Sequence, residues 1–138
     1  MFSNTDVITM ATIKSFTDLP QSKKLAEILP LESADMWWAW YSDPILNNGH
    51  YDDYPMFYKP ICNPNESIPC WSLTALLGVL PKEIVCDKGI VYLEFHVWEN
   101  SLEYVNDANY TLYVTKSYDN SVDACVDMII KLREQNLL

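Results

Sequence analysis

Glu94 and His96 stand two residues apart in Ile90–Trp98, where apolar and polar side chains alternate, so both project from one face of a strand. A carboxylate beside an imidazole is the minimum for acid–base work, because the imidazole changes charge near neutral pH. The sequence places no serine or cysteine nucleophile beside them and indicates no third orienting group, so an ordinary polar cross-strand face is the expectation. His50, Tyr51, Asp52, Asp53 and Tyr54 offer an imidazole and two carboxylates within five residues. Their spacing is neither that of an EF-hand nor H-x-x-x-H, and Asn47-Asn48-Gly49 just before them marks a turn. This run reads as a solvated acidic loop.

The other chemistry-bearing residues are sparser. Cys62, Cys70, Cys86 and Cys125 contain no C-x-x-C spacing, and neither histidine lies near paired cysteines, so no zinc site is expected. The first sixteen residues lack the pattern of a signal peptide, so reduced thiols in a cytosolic setting are the expectation. Three glycines provide neither G-x-G-x-x-G nor a Walker loop, which excludes the common phosphate cradles. Trp37, Trp38, Trp40 and Tyr41 place rings on both faces of a strand, one face for the core and one able to stack a ligand or anchor a partner.

Three helices position these residues. Asp18 followed by Gln21 forms a capping-box pattern, Leu25, Ile28 and Leu29 make the apolar stripe, and Pro30 ends the first helix. Leu73, Leu76, Leu77 and Leu80 recur at helical spacing from Ser72 to Leu80, where Pro81 stops the chain. The third helix spans 121–135, capped by Asn120 or Ser121, with Val122, Cys125, Ile129 and Leu132 facing inward. Strands are predicted over Met36–Tyr41 and Tyr54–Tyr58. Ile90–Trp98, Leu102–Val105 and Tyr110–Thr115 follow as an antiparallel meander, because short turns force antiparallel neighbours.

The 138 residues carry nine Lys plus Arg against nineteen Asp plus Glu, a net charge of −10. All of that excess lies in two segments free of Lys and Arg, residues 25–58 with six acids and 89–115 with four. The same segments hold 14 of the 18 aromatic residues. An acidic, aromatic surface disfavours nucleic acid, whose phosphates require basic side chains, and steers basic protein partners.

Three blocks resemble one group of proteins. Ser15–Met36 (SFTDLPQSKKLAEILPLESADM), Ile68–Pro81 (IPCWSLTALLGVLP) and Ser121–Leu132 (SVDACVDMIIKL) are similar to segments of short uncharacterised proteins encoded in the genomes and mobile elements of gut anaerobic bacteria. The blocks coincide with the helices and cover about a third of the chain; the strand regions do not match. The resemblance implies a bacterial cytosolic setting, in a prophage or conjugative element, and carries no activity, cofactor or catalytic residue.

Together these readings predict an α+β, two-layer single domain over residues 1–138. An antiparallel sheet of about four to five strands carries three helices mainly on one face, in the order α-β-β-α-β-β-β-α. Residues 1–14 read as a weakly ordered extension, with Met1 and Met10 both eligible as the start. The expected function is a non-enzymatic protein-interaction module using Tyr92, Glu94, His96, Trp98 and Tyr113, with Trp37 or Trp40 nearby. No cofactor, metal, catalytic residue or membrane contact is predicted. The alternatives are a small-molecule binder or modest hydrolase with a pocket near Glu94 and His96, and a homodimer in which the aromatics pair with themselves.

Overall fold

The computed structural model describes residues 14–138. The predicted N-terminal extension and the choice of start therefore lie outside the described residues, except for Lys14. That side chain is tied down: its Nζ lies 2.9 Å from Asp18 and 2.8 Å from Asp123.

Each helix begins where a local cap dictates. In α1 (Leu19–Ala26) the Asp18 carboxylate accepts from the Gln21 backbone N–H, while the Gln21 side chain accepts from the Asp18 backbone N–H. A 3₁₀ turn over Leu31–Ser33 leads from it into β1 (Met36–Trp38). Ser72 caps α2 (Leu73–Val79) through the Ala75 N–H, and Asn120 caps α3 (Ser121–Glu134) through the Asp123 N–H. Val122, Cys125, Ile129 and Leu132 are all fully buried, as the stripe on α3 predicts.

The class is α+β, with antiparallel pairing throughout, and its largest sheet has four strands. Those strands, β5 (Glu83–Cys86), β6 (Gly89–His96), β7 (Ser101–Val105) and β8 (Thr111–Val114), lie in sequence order. The helices cover one face of this sheet. Leu25, Leu29, Leu76, Leu80, Met128 and Ile129 from the helical side join Ile84, Val91, Leu102 and Tyr104 from the strands in one core. Lys131, on α3, donates to the Val114 carbonyl of the edge strand β8 at 3.3 Å; a charged side chain on an edge discourages pairing with other chains.

The aromatic run behaves differently from the single strand predicted over Met36–Tyr41. The chain breaks at the buried Ala39, and the two halves enter separate pairs. β1 pairs with β4 (Ile68–Cys70), and β2 (Trp40–Asp43) pairs with β3 (Asn48–Tyr51). The chain reverses at Pro44–Asn47, one turn earlier than predicted, because the Asp43 carboxylate accepts from the N–H groups of Ile45 and Leu46. His50 and Tyr51 therefore belong to a strand rather than a loop. The strand predicted at Tyr54–Tyr58 shrinks to a single bridge between Met56 and Trp37, in a segment whose Tyr54, Phe57 and Tyr58 are exposed. Trp38 is buried, and its indole N–H donates to Ser22 Oγ at 3.1 Å.

Candidate functional site

The outer face of the β5–β8 sheet follows from its register, since directly opposed residues in an antiparallel pair share a face. Val91 and Tyr104 are buried on the inner side, so their neighbours along each strand point away from the helices. Glu83 stands opposite Tyr92 and Val85 opposite Ile90, while Glu94 stands opposite Glu103 and Tyr92 opposite Val105. Val114 completes the row opposite Glu103. The face combines exposed apolar side chains, with Val85 at 74% exposure and Tyr92 at 48% toward β5 and Val114 at 54% on β8, with three carboxylates between and beside them.

At one end of this face three polar side chains converge. His96 Nε2 lies 3.1 Å from Glu103 Oε1 and 3.7 Å from Glu94 Oε2. The sequence pairs Glu94 with His96 and indicates no third group. Glu103 is that group. It comes from the next strand, and its position follows from counting across the Val97–Asn100 turn, which sets His96 opposite Ser101 and hence Glu94 opposite Glu103. All three side chains remain partly open to solvent, as on a surface rather than in a deep pocket.

The other predicted site residues are distributed. β6 ends at His96, so Trp98 sits in the turn beyond it, 98% exposed. Tyr113 stands opposite the buried Tyr104 and packs on the helical core, so it faces away from Tyr92. Trp37 and Trp40 belong to the two smaller strand pairs rather than to the meander. Lys59 lies over the Trp37 ring at 5.4 Å, and Trp40 meets Tyr51 edge to face at 4.7 Å. One continuous acidic, aromatic face holding all seven residues does not form, because the strands of residues 36–51 are not part of the large sheet.

A groove of about 930 Å³ was not predicted. The segment after α1, the exposed side of α2 and the chain's last residues form it, with Ile28, Ala75, Val79 and Leu138 as apolar lining and Glu32 and Arg133 as charged lining. It shares no residue with the Glu94–His96–Glu103 trio. Its parts are remote in sequence and each alone reads as an ordinary helix end, so nothing local signals it.

No protein-family model, curated protein or solved structure matches this chain. Among the described residues, no helix is long and apolar enough to cross a membrane.

Proposed function

We propose that the chain is a non-enzymatic protein-interaction module whose docking surface is the outer face of β5–β8, extended by Trp98. The observation that carries this reading is the exposed apolar patch of Val85, Ile90 and Tyr92, joined by register and bordered by Glu83, Glu94 and Glu103, with Val114 exposed beyond Glu103. An indole held out in solvent gains little for folding, whereas tryptophan and tyrosine are favoured anchors at interfaces. The surrounding carboxylates favour a partner of basic character, by steering encounter and matching its charge. A cytoplasmic bacterial setting, in keeping with the resemblance of the three helical blocks, belongs to the same proposal.

A comparison of baits tests it. Wild type, Tyr92→Ala/Trp98→Ala and Gly78→Trp, which fills the groove, are used to capture partners from the source organism, with quantification by mass spectrometry. The reading predicts specific partners that are lost with the double variant and retained with the groove variant. Partners retained by the double variant would contradict it. Light scattering on the purified chain separates off the homodimer alternative: a dimer broken by the double substitution would make the second copy itself the partner.

A further inference from the structure

We infer that Glu94, His96 and Glu103 form a binding site for one divalent transition-metal ion of zinc-like chemistry. This goes beyond the interaction module and stands on different observations. The three donors all lie within 4.8 Å of one another, with the imidazole nitrogen 3.1 Å from one carboxylate oxygen and 3.7 Å from the other. A tetrahedral ion held at about 2.0–2.2 Å from nitrogen and oxygen ligands separates those ligands by roughly 3.3–3.6 Å. The two imidazole contacts bracket that spacing, and the carboxylate oxygens lie within 4.8 Å of each other, so the donors need converge by little more than about an ångström to meet it. They project from paired strands whose ladder is unbroken from Tyr92–Val105 to His96–Ser101, which fixes the Cα positions before any ion arrives.

Charge points the same way. Two carboxylates directly opposed on adjacent strands repel each other. Among the described residues neither is paired with a lysine or arginine, and residues 89–115 contain none. With a neutral imidazole the trio carries two negative charges, which a divalent ion neutralises. The donor set selects within that class: magnesium and calcium prefer oxygen ligands alone, whereas one imidazole with two carboxylates suits zinc and its neighbours in the transition series. Three protein ligands on an open face leave the outward coordination position for water or for a donor on an incoming molecule.

Titration calorimetry of the full chain with Zn²⁺, in buffer free of chelators and with the thiols reduced, tests the site. One site per chain is expected, with no comparable heat from Mg²⁺. His96→Ala and Glu103→Gln should each weaken Zn²⁺ binding by roughly tenfold or more, while His50→Ala leaves it unchanged. Proton NMR of the wild type needs no variant: of the two imidazoles, His96 should shift on Zn²⁺ addition and His50 should not. Absence of stoichiometric binding, equal binding of Mg²⁺, or zinc binding that survives both substitutions would overturn the assignment. Each result is read on the isolated chain, so it is independent of whether a protein partner exists.

Discussion

Glu94 and Glu103 stand directly opposite each other on β6 and β7, with His96 Nε2 in reach of both carboxylates. Opposed like charges on a sheet surface cost a few tenths to about 1 kcal/mol. Glu94→Gln should therefore stabilise the metal-free chain by about 0.2–1 kcal/mol in low-salt urea unfolding at pH 8. Adding 0.5 M salt should shrink the gain, because the repulsion is screened. A variant less stable than wild type under both conditions would show that the pair does not repel.

Asp123 joins the first helix to the last. It accepts from Lys14 Nζ and Gln21 Nε2 at 2.8 Å each and from Asn120 Nδ2 at 2.9 Å. Burial alone would raise its pKa, but the bonds from Lys14, Gln21 and Asn120 outweigh it and hold the carboxyl below its usual value. A depressed carboxylate contributes stability that is present above its unfolded pKa, near 4, and lost as pH falls through the folded value. Urea midpoints measured from pH 6 down to pH 2.5 should fall, and Asp123→Asn should flatten that fall while lowering stability at pH 6. Parallel curves for the two proteins would remove Asp123 from the acid response.

How much of this was readable in advance depended on sequence distance. Asp18, Ser72 and Asn120 announce helices because a cap and the amide it serves are three residues apart. The meander was readable because Val91, Leu93 and Phe95 alternate with Tyr92, Glu94 and His96, and short turns leave little choice of neighbour. The pairing of Met36–Trp38 with Ile68–Cys70 was not readable, since three-residue strands carry no periodicity and thirty residues separate them. For the same reason, aromatic residues close together in sequence, Trp37 and Trp40, ended in different sheets. Tyr113, expected beside Tyr92, packs inward instead, because the irregularity at Tyr104/Val105 sets it opposite the buried Tyr104.

Two glycines should respond in opposite directions. A Cβ on Gly78, in α2, meets open space, so Gly78→Ala should stabilise by about 0.5–1 kcal/mol through helix propensity. A Cβ on Gly49 would lie 2.6 Å from Trp40 Cε2 and 2.8 Å from the Tyr41 carbonyl oxygen. Gly49→Ala should therefore cost about 1–3 kcal/mol, by displacing the indole or opening the β2–β3 hairpin. Thermal unfolding of both variants checks the pair, and a destabilised Gly78→Ala would contradict the open space over α2.

Three of the four thiols should separate by access. Cys62 is exposed, whereas Cys70 and Cys125 are buried, and burial pushes the Cys125 thiol up to about 12. A disulfide reagent at pH 8 should label Cys62 first in the native protein, and Cys70 and Cys125 only after denaturation, because the thiolate is the reactive form. Rapid native labelling of Cys125 would mean that α3 does not pack as described.

The interaction reading is tested most directly by light-activated crosslinking inside the source cell, from photoreactive residues placed at positions 98, 92 and 78. Discrete adducts of higher mass from 98 and 92, with none from 78, are the predicted result. Adducts from 78 alone would move the binding surface to the groove beside α2 and contradict the assignment to the outer face of β5–β8.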